Sequence, residues 1–165
     1  MVHALIRSAL IRQPVALLGA AALALLMAAW GFEAMGYAPC KLCFWQRYPY
    51  MAVVVVALLA LLQGGNRNRM ALFLMAGLFA LDAGIAAYHG GVERGFWKGP
   101  DTCTGAPDLT GDLDAALNAL QNAAVIRCDA INTSLLGLSM ANWNMIAALI
   151  LTALTVLAAR LQTAR

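Results

Sequence analysis

Two cysteines stand three positions apart in Pro39-Cys40-Lys41-Leu42-Cys43, and Arg47 follows four residues after the second. Cys-x-x-Cys is the spacing of redox-active dithiols, in which the thiolate is the reacting species. A bond across it closes a loop of only four residues, which constrains little chain and stabilises little. A purely structural staple is therefore a poor reading of this pair. Backbone amides at a helix start just past Pro39 would favour a thiolate. Arg47 falls on the same helix face as Cys43. A fixed cation there would lower the thiol pKa and could hold an anionic partner. The other reading of Arg47 is an interfacial arginine snorkelling to lipid headgroups.

Two further cysteines, Cys103 and Cys128, lie 25 positions apart. Four cysteines allow three connectivities, and loop assignment pairs Cys40 with Cys43 and Cys103 with Cys128. No metal is expected, because structural zinc sites use two closely spaced pairs. A cycling dithiol needs an electron acceptor. The chain has no Gly-x-Gly-x-x-Gly for a flavin or nicotinamide and no Cys-x-x-Cys-His for attached haem. A quinone, the carrier native to a bilayer, remains.

The elements that position these residues are membrane helices. Of 165 residues, 62% are hydrophobic and 12% charged, with a mean hydropathy of +0.74. Soluble domains are about 45–50% apolar and about 25% charged, so that class is excluded, and disorder with it. A net charge of +3 is too mild to point to nucleic acid. Apolar runs of about 18 or more residues read as spans. Four such runs occur, at about 15–32, 44–62, 70–88 and 142–159. The fold class is an all-α membrane protein, a four-transmembrane-helix bundle in one integral membrane domain. The first run exceeds the 7–15 apolar residues of a signal-peptide core, so it is read as a retained span.

Basic residues set the orientation. Arg7, Arg12, Arg67, Arg69, Arg160 and Arg165 fall on one side, with no acidic residue. That side is cytoplasmic and holds both termini. The other side carries a short loop, about 33–43, and a long one, about 89–141, and these hold all four cysteines. An oxidising compartment favours their pairing. Within the long loop, Leu113, Ala116, Leu117, Leu120 and Ala124 fall at helical spacing. They read as a short amphipathic helix, lying on the membrane surface or packed on the bundle.

The chain resembles the disulfide bond formation protein B (DsbB) family of bacterial inner-membrane thiol oxidoreductases. Three segments carry the resemblance. They are Ala38-Pro39-Cys40-Lys41-Leu42-Cys43-Phe44-Trp45-Gln46-Arg47; Tyr88-His89-Gly90-Gly91-Val92-Glu93 leading to Gly99-Pro100-Asp101-Thr102-Cys103; and Arg127-Cys128-Asp129 with Leu136-Gly137-Leu138-Ser139-Met140-Ala141-Asn142-Trp143-Asn144. The resemblance implies a membrane thiol oxidase whose four catalytic residues are Cys40, Cys43, Cys103 and Cys128. A reduced, periplasmic, thioredoxin-like dithiol protein (DsbA type) would form a mixed disulfide at Cys103. Cys128 would then exchange with Cys40, and electrons would leave through Cys43 to ubiquinone or menaquinone. Arg47 would hold the quinone oxygen.

The resemblance also puts His89 and Met140 at the quinone, and Glu33 near a position where the family often has glutamine, from which it could face the quinone and assist proton uptake. Each has an ordinary reading too: a helix cap for His89, a gap filler for Met140, a solvated interfacial acid for Glu33. Asp82, inside the third span, has no counterpart in the resemblance. It reads as a hydrogen-bonded acid facing the bundle, with proton handling as the other reading. The competing function is a non-catalytic membrane scaffold or transporter subunit with structural disulfides.

Overall fold

The computed structural model describes residues 12–100, 127–131 and 134–163. Four long helices dominate it: α1 Pro14–Ala34, α2 Lys41–Leu62, α3 Arg69–Glu93 and α4 Met140–Thr163. Each is long and apolar enough to cross a membrane. A bilayer core about 30 Å thick needs about 20 helical residues, and these have 21 to 25. The fold is an all-α membrane bundle. Large apolar side chains such as Leu23, Met27, Leu58, Leu62 and Phe73 point away from its interior. That is the arrangement for a helix surrounded by lipid.

Helix starts follow local chemistry. Pro14 opens α1, where a missing N–H costs nothing. The next amides are satisfied from the α2–α3 link: Val15 N donates to Asn66 O at 3.3 Å and Ala16 N to Asn66 Oδ1 at 3.1 Å. Asn68 caps α3, its Oδ1 accepting from Met70 N at 3.0 Å and Ala71 N at 3.2 Å. Cys40 itself caps α2 through its sulfur.

Around the bundle, α1 packs mainly on α2, α2 on α3, and α3 on α4. The core joins Val15, Leu18 and Leu26 of α1 to Val53 and Ala57 of α2, Leu72, Met75 and Phe79 of α3, and Leu151 and Ala158 of α4. Gly19 lets α1 approach α2 closely, since a Cβ there would lie 2.5 Å from Ala57 Cβ.

Two helices extend beyond the expected spans at the cysteine end. α2 begins at Lys41 rather than near Phe44, so the Cys-x-x-Cys motif forms its cap and first turn. α3 runs on through His89, Gly90 and Gly91 to Glu93. These glycines do not end the helix, because they are packing sites. A Cβ on Gly90 would meet Asn142 Oδ1 at 2.8 Å, and one on Gly91 would meet the Trp97 ring at 2.1 Å. The chain turns only past Arg94, at Gly95 with φ +71°. The segment before α4, expected to be loop, contains a small hairpin of β1 Ser134–Leu135 and β2 Leu138–Ser139. Leu136 and Gly137 both take positive φ at its turn. Trp143 Nε1 donates to Leu135 O at 3.0 Å and ties the hairpin to α4. Cys103 and the expected helix around Leu113 to Ala124 lie outside the described residues.

Candidate active site

The motif at the start of α2 puts two sulfurs face to face. Cys40 Sγ and Cys43 Sγ are 2.9 Å apart, and both cysteines are free thiols. Cys40 is buried and Cys43 half-buried. Cys43 N–H donates to Cys40 Sγ at 3.3 Å, as a helix N-terminal amide does to a capping anion. His89, one helix away on α3, is within 3.4 Å of Cys40 Sγ through Nε2. Gln46 Nε2 donates to His89 Nδ1 at 3.2 Å. An imidazole accepting at Nδ1 carries its hydrogen on Nε2, so that hydrogen is aimed at Cys40. Together these contacts pull the Cys40 thiol down to about pH 4. The Cys43 thiol hydrogen bond is the largest cause, and His89 adds to it against the opposing effect of burial. Cys40 is therefore the thiolate of the pair.

Cys40, Cys43 and His89 are also the residue types of a metal site. Two sulfurs bound to one tetrahedral zinc at about 2.3 Å each stay about 3.8 Å apart. The 2.9 Å contact here is tighter and suits sulfur–sulfur chemistry instead.

Behind the pair is a cavity of about 410 Å³, walled by all four long helices. Leu25, Leu26 and Phe32 of α1 and Ala147 of α4 make apolar walls, and Cys40, Cys43, Arg47, His89 and Met140 share the lining. Of the residues expected at a quinone, Arg47, His89 and Met140 line this cavity. Glu33 does not. It reaches the cavity only through Arg47, whose Nη1 donates to Glu33 Oε2 at 2.6 Å. Arg47 Nη2 also donates to Ala29 O at 3.4 Å, and the guanidinium lies 5.0 Å from the Phe44 ring centre. Arg47 is thus 8% exposed and anchored on α1, not free to reach headgroups.

Cys128 is fully buried and disulfide-bonded, and its cysteine partner lies outside the described residues. It packs with Cys40, Leu42 and Val92 in one small cluster, with Cys43 and Tyr88 against it. The long loop thereby returns to the dithiol.

Several residues of the site were not picked out from the sequence. Gln46 orients His89, and its place three residues after Cys43 was the available signal. Glu93, four residues after His89 and so on the same face, approaches His89 Nε2 at 3.8 Å and accepts from Ser139. Asn142 Nδ2 donates to Ser139 Oγ at 2.9 Å. Tyr50 and Asn144 line the inner part of the cavity. Asp82, which the sequence did single out, lies behind them, buried, and accepts from Asn144 Nδ2 at 2.8 Å.

A facing cysteine pair, capped into a membrane helix and backed by an apolar cavity, defines a membrane thiol oxidoreductase. Residues 11–158 match the family described as disulfide bond formation protein DsbB, and the chain belongs to that family, whose activity is oxidative disulfide formation. It is 33% identical over 124 residues to disulfide bond formation protein B of Aromatoleum aromaticum, covering 69% of this chain and 70% of that one. To the protein of the same name from Polaromonas naphthalenivorans it is 31% identical over 133 residues, 75% of this chain and 77% of that one. No solved structure matches it.

Proposed function

We propose that this protein reoxidises a thioredoxin-like dithiol protein of the periplasm (DsbA type) and delivers the electrons to ubiquinone or menaquinone. The placement of Cys128 in one buried cluster with Cys40, beside the cavity that Cys43 and Arg47 line, carries this reading. It supports a path of sulfurs from the long loop to the membrane interior.

The relay is a series of thiolate displacements. A partner thiolate attacks Cys103 of a Cys103–Cys128 bond, and Cys128 leaves as thiolate. Cys128 then attacks Cys40 of an oxidised Cys40–Cys43 pair, and Cys43 leaves as thiolate one helical turn from Arg47. A second partner thiol resolves the mixed disulfide at Cys103 and frees the partner in its oxidised form. Cys128 returns to Cys103, which leaves the inner pair as the dithiol. Re-forming the Cys40–Cys43 bond releases two electrons and the proton of Cys43, the Cys40 proton having left when its thiolate formed.

The cavity suits a quinone ring by its donor set. Apolar walls fit the ring faces, and the Arg47 guanidinium fits a carbonyl oxygen that gains charge on reduction. A quinone bound there supplies a sink for two electrons and two protons. Cys43 offers its sulfur to that cavity, Arg47 binds the oxygen, and His89 and Gln46 hold the Cys40 sulfur in place. Glu33 serves as the anchor of Arg47, and Met140 as a wall. The six arginines that flank the spans in sequence away from the cysteine loops support a placement of both termini in the cytoplasm and the cysteines in the periplasm of a bacterial inner membrane.

The test uses purified protein in detergent, excess quinone and a reduced thioredoxin-like protein, followed by quinone absorbance. Wild type consumes oxidised quinone, and Cys43→Ser does not. Absence of quinone reduction by folded protein whose disulfides stay unchanged would leave a stapled scaffold instead.

A further inference from the structure

The inner end of the cavity holds polar groups that the relay above leaves unused. Tyr50 is seven residues past Cys43 on α2, about 10 Å deeper along the helix. Its hydroxyl donates to Asn144 Oδ1 at 2.9 Å, and Asn144 Nδ2 donates to Asp82 Oδ2 at 2.8 Å. Tyr50 and Asn144 line the cavity and Asp82 stands behind them. Asn144 thus bridges Tyr50 and Asp82. The Tyr50 ring is set edge-on to Phe79 at 5.9 Å, which fixes its position.

Asp82 is fully buried near the middle of α3. Its Oδ1 has no hydrogen-bond partner, and no other buried side-chain oxygen or nitrogen among the described residues is in that state. An apolar bundle gains no stability from such a group; a leucine would fill the place at no desolvation cost. An orphaned buried oxygen asks for an explanation in chemistry.

We propose that Asp82 stores a proton for the inner end of the cavity. This rests on the quinone reading above. The quinone's two carbonyl oxygens lie on opposite edges of its ring. With one on Arg47, the other would face the end of the cavity lined by Tyr50 and Asn144. As the Cys40–Cys43 bond forms, Tyr50 would give its hydroxyl proton to that inner oxygen and be reprotonated from Asp82 by way of Asn144, which hydrogen-bonds both. Asp82 is reset by the proton released from Cys43. The Cys40 thiolate and the Cys43 thiol lose two electrons and one proton, the acceptor gains two electrons and two protons with the second proton drawn from the aqueous side, and Asp82 and Tyr50 end as they began. Asp82 acts through Tyr50 and is a positioning and proton-storing residue rather than one that touches the acceptor.

Infrared spectra of the purified protein without added quinone test the store itself. Wild type should show the carbonyl band of a protonated carboxylic acid in an apolar setting. Asp82→Asn should remove that band, and Tyr50→Phe should shift it. Quinone reduction by the pre-reduced protein gives the second reading. Asp82→Asn should lower kcat about tenfold with quinone KM within about twofold, while the Cys40 thiolate absorbance shows an intact site. An unchanged infrared spectrum, or wild-type kcat in Asp82→Asn, would overturn the proposal. A wild-type protein with the Asp82 band but no quinone reduction would overturn the acceptor reading beneath it.

Discussion

Arg47 Nη1 lies 2.6 Å from Glu33 Oε2, so the cation one turn beyond Cys43 is held by the end of the neighbouring helix. The two members of this pair differ in burial. The Arg47 side chain is 10% exposed and that of Glu33 is 41%. Hydrogen bonds to charged groups contribute about 1.5–3 kcal/mol. If Arg47 binds the acceptor's oxygen, Arg47→Gln should raise quinone KM about 10- to 100-fold. Exposed ion pairs are worth about 0.2–1 kcal/mol, so Glu33→Gln should raise it no more than about fivefold. Steady-state kinetics with varied quinone checks both. Equal losses in the two variants would mean that Glu33 touches the acceptor itself.

The Cys40 thiolate has a pH signature. Its sulfur ionises near pH 4 in the fold, against about 8.5 for a free cysteine. Between those values the folded protein carries a thiolate where the unfolded chain carries a thiol. This contribution to stability is full above about pH 8.5 and fades as pH falls through 4. Ultraviolet thiolate absorbance of the reduced protein, with Cys40→Ser subtracted, should stay level from pH 8 to pH 5.5 and drop near pH 4. His89→Ala should move the drop upward, because one hydrogen bond to the sulfur is lost. A midpoint near 8.5 in wild type would show that the cap and the imidazole do not act on this sulfur.

The sequence-level reading reached the helices and the sulfurs but not their polar surroundings, for a physical reason. A span shows itself in the summed hydropathy of about 20 residues, so four spans were legible. Their ends were not, because Gly90 and Gly91 look like helix breakers until Asn142 and Trp97 are seen packed on them. Cys40, Cys43 and Arg47 were legible because they share one helix at fixed spacing. Tyr50, Asn144 and Asp82 sit on three different helices, and nothing in their local sequence says that they meet. Asp82 does face the bundle as an acid accepting a hydrogen bond, but only one of its oxygens is satisfied.

The shared buried cluster of Cys128 and Cys40 predicts a cross-link between the long loop and α2. In a Cys43→Ser, Cys103→Ser double variant, those two sulfurs have no other cysteine to pair with. Mild oxidation should join them in most molecules, seen as a mobility change on a non-reducing gel that reductant reverses. Disulfide formation needs Cβ atoms about 3.5–4.5 Å apart, so efficient closure reports the packing directly. A chain that stays reduced under the same oxidant would mean that Cys128 reaches Cys40 only after a partner reshapes the loop.

The approach of α1 to α2 at Gly19 links the core to the site. An added Cβ there would stand 2.5 Å from Ala57 Cβ, so the helices must part. Overpacking of this kind costs about 1–3 kcal/mol. For a chain of this size that corresponds to a fall of about 2–10 °C in Tm. Gly77, also inside a helix, has open space around its Cβ position. Gly77→Ala should therefore hold or raise Tm, since alanine restricts the unfolded chain. Because α1 also carries Glu33 and Ala29, parting it from α2 should loosen Arg47. Gly19→Ala should then raise quinone KM as well as lower Tm. Ala57→Gly in the same chain should restore both, because it removes the methyl that Gly19→Ala would strike. A Gly19→Ala protein with unchanged Tm and KM would show that α1 can shift without disturbing the arginine.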